Sequence, residues 1–92
     1  MLLYENALAY ELTKHFNVAR QAPLTVYYDD IAVGKYYADI IVNESIVIEL
    51  KSVDSIKKEH IAQLVNYLRA TNLKVGLLIN FGREPNVRRV MI

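Results

Sequence analysis

Ninety-two residues, 53% of them hydrophobic, suit one small folded domain and are too apolar for a disordered segment. The net charge of +1 names no partner, and the absence of cysteine excludes disulfides and thiolate metal sites, leaving oxygen ligands and two histidines. No apolar run reaches the length of a membrane span and no basic stretch leads into an apolar segment with a cleavage site, so a cytoplasmic globular domain with no membrane partner is expected.

The opening stretch, LLYENALAYELTKHF, carries Leu3, Ala7, Leu8, Leu12 and Phe16 at helical spacing. LTVYY then alternates and is rich in β-formers, and DDIAVG supplies turn residues for a hairpin into KYYADIIV. Tyr27–Tyr28 and Tyr36–Tyr37 are expected to face each other across that hairpin, where aromatic cross-strand pairs stabilise a sheet. Asn43 and Glu44 turn the chain into SIVIELKS. Ile56 to Thr71 reads as an amphipathic helix with Ile61, Leu64, Val65 and Leu68 on its inner face. KVGLLIN is almost continuously apolar, the pattern of a strand covered on both faces, and NVRRVMI reads as a terminal edge strand. With no linker, repeat or low-complexity segment, residues 1–92 read as a single domain of order α-β-β-β-α-β-β. The fold class expected is a mixed α/β (α+β) domain, a mixed sheet flanked by helices.

Two carboxylates interrupt otherwise apolar strands: Asp39 in YYADIIV and Glu49 in IVIELKS. Acidic residues are depleted in strand interiors, and buried like charges repel unless a cation or a proton lies between them. Strand alternation puts Lys51 on the face of Glu49, and Asp39 with Lys35, Tyr37 and Ile41. The plainer reading is one solvated aspartate and one Glu49–Lys51 ion pair. The chemical reading is a hard, oxygen-only site for Mg²⁺ or Mn²⁺, made by Asp39, Glu49 and the backbone carbonyl of Leu50, with Lys51 orienting and polarising a water. On the second helix His60, Gln63 and Tyr67 form a stripe beside the apolar face, which reads equally as a polar border. Charge is uneven along the chain: three Lys/Arg against six Asp/Glu in residues 1–46, eight against four in residues 47–92. That asymmetry suits a polyanion on one side of the fold. Lys35, Lys57 and Lys58, with Tyr67, are the candidate nucleic-acid contacts, the two adjacent lysines standing where a helix start favours phosphate.

Asp39, a nine-residue gap, then Glu49-Leu50-Lys51 resembles the D…(D/E)xK signature of the PD-(D/E)XK nuclease superfamily, and Gln63 and Tyr67 resemble the QxxxY extension of several of its branches. The element order is that superfamily's core order. More narrowly, YENALAYEL, IELKSV, QLVNYLRAT and GLLINFG look like the small bacterial GxxExxY family, over nearly the whole chain. The resemblance implies a restriction-endonuclease-like core and a Mg²⁺-dependent (or Mn²⁺-dependent) phosphodiester hydrolase. Asp39, Glu49 and the Leu50 carbonyl would bind metal, Lys51 would activate water, and Gln63 would steady the ion or the scissile phosphate. One departure stands out: of the name-giving motif only Tyr4 is present, Met1 falls where its glutamate should be, and Glu5 and Glu11 do not share that helical phase. The usual N-terminal segment and first-helix acid are thus expected to be missing, with weak cleavage or none. The competing class is a catalytically inactive nucleic-acid-binding or protein-interaction module on the same fold, and a homodimer is left open.

Overall fold

The computed structural model describes residues 2–92. Helix α1 (Leu2–Thr13) is followed by β1 (Val18–Tyr28), β2 (Ile31–Val42), β3 (Ile46–Lys51), helix α2 (Lys58–Thr71), β4 (Val75–Asn80) and β5 (Asn86–Met91), the order expected. The strands form one five-stranded sheet in sequence order. β1–β2, β2–β3 and β4–β5 are antiparallel, while β3–β4 is parallel. Parallel neighbours cannot be joined by a tight turn, so α2 is the crossover between β3 and β4.

The sheet carries a core on each face. On one, Leu64 and Leu68 of α2 meet Ala38, Ile41, Val47, Leu78 and Val90, with Ile61 and Val65 packed alongside as the helical spacing predicts. Full burial of a leucine or isoleucine contributes roughly 1.5–3 kcal/mol, so this cluster dominates stability. On the other face α1 lays Ala9, Leu8 and Leu12 over Ile40, Val42, Ile48 and Leu50. β4 separates the two layers: Leu78 belongs to the first, Leu77 and Ile79 to the second.

α1 does not bury the stripe its spacing suggested. Leu3 is 76% exposed, Ala7 is exposed, and Phe16 lies beyond the helix end. The inward face is Glu5, Leu8, Ala9 and Leu12, and the carboxylate within it is what breaks the apolar pattern. The hairpin also differs from expectation. Its turn is only Asp29–Asp30, both at positive φ (50° and 62°) as a two-residue type I′ turn requires, and IAVG belongs to β2. The shorter turn shifts the register, so Tyr36 and Tyr37 oppose Leu24 and Pro23 while Tyr27 and Tyr28 oppose Ala32 and Ile31; the tyrosine pairs do not meet. β1 starts at Val18, six residues before LTVYY, because Val18–Ala22 pairs with the deep end of β2 despite its polar Arg20 and Gln21.

Both strands of this hairpin exchange faces at Gln21 and Asp39. Ala22 and its partner Ala38 pack on the α2 side; Arg20 bonds to α1 and its partner Ile40 packs under α1. Gln21 has φ 47°, a left-handed value for a non-glycine residue. The simple alternation expected along β2 therefore fails: Ile41 lies on the α2 face, opposite to Tyr37. β5 is an edge strand as expected, and Arg88 and Arg89, both exposed, alternate across it.

The C-terminal ends of β3 and β4 are locked by Asn80, only 1% exposed. Its Oδ1 accepts from the N–H groups of Val53 and Gly82, and its amide donates to the carbonyls of Val53 and Glu84, at 2.9–3.2 Å. The loop contact is so close that a Cβ at Gly82 would sit 1.9 Å from the Val53 oxygen. Asn80→Leu should leave four backbone groups without their partner and cost about 2–4 kcal/mol, read as a drop in the urea midpoint at unchanged slope.

Candidate active site

β2 and β3 pair only through Ile40–Ile48, Ile41–Val47 and Val42–Ile46. One further step in that register would set Asp39 opposite Glu49. Instead β2 leaves the ladder, while β3 stays paired to β4 as far as Lys51–Asn80. The N–H of Leu50 donates to Asp39 Oδ2 at 2.9 Å, a side chain standing in for a strand partner. The two interrupting carboxylates thus flank the opening between the strands, and both are half-buried.

Glu49 and Lys51 line a pocket of about 130 Å³ on the α2 side, with Tyr36, His60, Gln63 and Tyr67 around it. Glu49 Oε1 is buried without a hydrogen-bond partner, and so is the Tyr36 hydroxyl. Burial pushes the Glu49 carboxyl from its ordinary 4.5 up to about 7, against the lowering influence of Lys51 and of the Asp39 backbone N–H, with a small further rise from Glu5. An orphaned, desolvated carboxylate is costly to a folded protein, and a cation or a proton relieves it. Across the pocket, Gln63 Nε2 donates to the Tyr67 hydroxyl at 2.9 Å, and Tyr67 stacks on Tyr36 with centroids 3.8 Å apart. His60 Nδ1 accepts the Lys57 N–H at 2.9 Å, a bond that closes the start of α2.

Asp39 opens toward α1. Its Oδ1 faces the Gln21 amide at 3.5 Å, and that same nitrogen lies 3.3 Å from Glu5 Oε1. Glu5, 7% exposed, is ion-paired to Arg20 at 2.7 Å. The first helix brings Glu5, from a different helical phase than the motif's glutamate, to the edge of the site; Met1, where that glutamate was expected, lies outside the described residues. Glu5, Arg20 and Gln21 are the residues that pattern reading missed. Their signals were a carboxylate inside the apolar run of a helix and a polar pair inside a strand.

Lys35, Lys57 and Lys58 are all exposed. Lys57 precedes and Lys58 begins α2, within one turn of the pocket residue His60, whereas Lys35 stands four residues out along β2 from Asp39. Among the described residues no group of three or more His, Cys, Asp or Glu is gathered tightly enough to cage an ion. Mg²⁺ does not require one: it keeps several waters and is held by one or two carboxylates together with substrate phosphates. Asp39, the unpartnered Glu49 and the Leu50 carbonyl fit that requirement and do not fit a tetrahedral zinc site.

The family profile described as the PD-(D/E)XK nuclease superfamily matches residues 2–90. This chain belongs to the PD-(D/E)XK nuclease superfamily. Two solved structures of similar fold agree. One is the crystal structure of SSO0001, with a TM-score of 0.72 at 22% identity, matched over 97% of this chain and 49% of that one. The other is the alkaline exonuclease LHK-Exo from Laribacter hongkongensis, with a TM-score of 0.67 at 16% identity, matched over 97% of this chain and 54% of that one. The chain thus spans about half the length of each, and these likenesses concern the restriction-endonuclease-like fold. No curated protein matches the sequence. Asp39, Glu49 and Lys51, the triplet singled out by the sequence, lie where β2 and β3 part.

Glu49 binds its proton more tightly folded than unfolded, so it costs stability progressively as pH rises from 4.5 to about 7 and costs nothing below that window. Glu49→Gln should therefore be more stable than wild type at pH 8 without divalent metal, with the difference vanishing near pH 4, as measured by urea unfolding across that range.

Proposed function

We propose that this chain is a Mg²⁺- or Mn²⁺-dependent nuclease-like domain that hydrolyses phosphodiester bonds of nucleic acid, of the GxxExxY kind. The observation that carries this reading is the buried Glu49 Oε1, which has no hydrogen-bond partner, in a pocket that Lys51 also lines, one residue from the Leu50 N–H that Asp39 accepts. Superfamily membership and the likeness to an exonuclease fold support nucleic acid as the substrate.

Asp39, Glu49 and the Leu50 carbonyl would hold the ion, which when bound supplies Lewis acidity toward a phosphoryl oxygen and lowers the pKa of a bound water. Lys51, on the face of Glu49, orients the attacking water and offsets charge that builds on the phosphorus oxygens. Gln63, fixed by its bond to the Tyr67 hydroxyl, presents its carbonyl oxygen to the ion shell or its amide to the scissile phosphate. Lys57 and Lys58 neutralise the phosphates that follow along the strand, aided by the positive end of α2, with Lys35 further out on β2 and Tyr67 flanking the pocket. Contacts of this kind track the backbone and are independent of sequence.

A second reading, a catalytically inactive binding module, is favoured by one feature: both Asp39 oxygens already have protein partners. The two readings separate in one set of experiments. Calorimetric Mn²⁺ titration should show binding to wild type and none to folded Asp39→Asn. Cleavage of duplex, single-stranded DNA and RNA in Mn²⁺ should fall about 10²-fold or more in Lys51→Ala. Lys57→Glu/Lys58→Glu should weaken DNA binding and lower the slope of log affinity against log salt by roughly 2, at about 0.9 per phosphate contact. Nucleic-acid binding without Mn²⁺ binding or cleavage would establish the inactive module.

A further inference from the structure

A buried carboxylate needs a counter-charge in the folded protein whether or not a metal is bound. For Glu5 that charge is Arg20. Its Nη2 and Nε both donate to Glu5 Oε2, at 2.7 and 3.2 Å, and Nη2 also reaches Asn6 Oδ1. The grip on one oxygen leaves Oε1 turned to the Gln21 amide, and through that amide to Asp39. A continuous chain of bonds therefore runs from Arg20 through Glu5, Gln21 and Asp39 to the N–H of Leu50 in β3. Arg20 reaches α1 only because the hairpin exchanges faces at Gln21, whose left-handed φ of 47° is held by the bonds on either side of it. The Arg20 side chain is itself 38% exposed, so it can leave the pair for water, whereas Glu5, at 10%, cannot.

We infer that Arg20 is the resident counter-ion of this acid cluster, a positioning residue that holds Glu5 against the Gln21 amide bridging to Asp39 and sets the divalent-cation affinity of the site. The inference rests on the metal-binding reading above. A guanidinium already neutralising Glu5 both repels an entering dication and removes the attraction Glu5 would otherwise exert. Without Arg20, Glu5 is a buried charge with only the neutral Gln21 amide beside it, so the metal-free protein loses stability while the cluster gains pull on a dication. Glu5 and Arg20 act here through Asp39; no contact with substrate is assigned to them.

The test is Mn²⁺ titration calorimetry at low ionic strength, with thermal melts in the presence and absence of saturating Mn²⁺. Arg20→Met should bind Mn²⁺ about tenfold tighter, melt lower than wild type without metal, and recover most of that loss with it. Arg20→Lys keeps the charge and should bind as wild type does. Adding Glu5→Gln to Arg20→Met should return affinity toward the wild-type value, since the uncompensated charge is gone. Should Arg20→Met fail to fold, Glu5→Gln alone leaves an unpaired Arg20 cation in place and should weaken Mn²⁺ binding several-fold. Equal or weaker binding by folded Arg20→Met, or unchanged binding by Glu5→Gln, overturns the role of Arg20 while leaving the metal site standing. A folded wild type and folded variants that all fail to bind Mn²⁺ overturn the metal reading and this inference together.

Discussion

Two carboxylates set directly opposite each other on an antiparallel ladder repel, and Asp39 and Glu49 escape that arrangement because the ladder ends at Ile40–Ile48. Beyond that point a hydrogen bond from the Leu50 N–H to Asp39 Oδ2 keeps the ends of β2 and β3 associated. It satisfies a backbone group that would otherwise lose its strand partner, and it ties the position of one acid to the backbone beside the other. β3 cannot follow β2 away, since it is paired through Lys51 to β4, whose end is held by Asn80. The gap therefore forms at one place only, and both acids stand at its margins.

The two sides of that gap are built differently. On the α2 side the Gln63–Tyr67 bond, the Tyr67–Tyr36 stack and the buried Leu64 and Leu78 wall the pocket around Glu49. Its Oε1 lacks a partner there, and desolvation is what raises its pKa. On the α1 side the groups are polar and mutually bonded: Arg20, Glu5, Gln21 and Asp39. The first wall desolvates Glu49, which strengthens any charge interaction with it; the second supplies counter-charge. The two sides together leave one carboxylate oxygen, Glu49 Oε1, without a partner and hold the other acids by protein groups.

Small size makes the division of labour visible. The α2 face carries most of the apolar burial, while α1 covers only part of its own sheet face and leaves Leu2, Leu3 and Tyr10 exposed. The hairpin tip, with Tyr28, Ile31 and Val33 exposed, also projects beyond both helices. The chain spans about half the length of the two similar folds.

By itself the sequence determined the order of the elements, the inner face of α2, the edge position of β5 and the Asp39, Glu49, Lys51 triplet. Each of these rests on a local rule: period 3.6, period 2, turn residues, or an acid interrupting an apolar strand. It did not determine which face of α1 is buried, since the face holding Glu5 is made inward by a partner 15 residues away, Arg20, and not by its own hydrophobicity. Nor could alternation reveal that β1 and β2 exchange faces at Gln21 and Asp39, because the left-handed φ at Gln21 is sustained by its bonds to Glu5 of α1 and Asp39 of β2. The periodic positions were legible because each answers to its neighbours in the chain. The acid cluster was only half legible because its members answer to charges and hydrogen bonds from other elements, which come together only in the folded sheet.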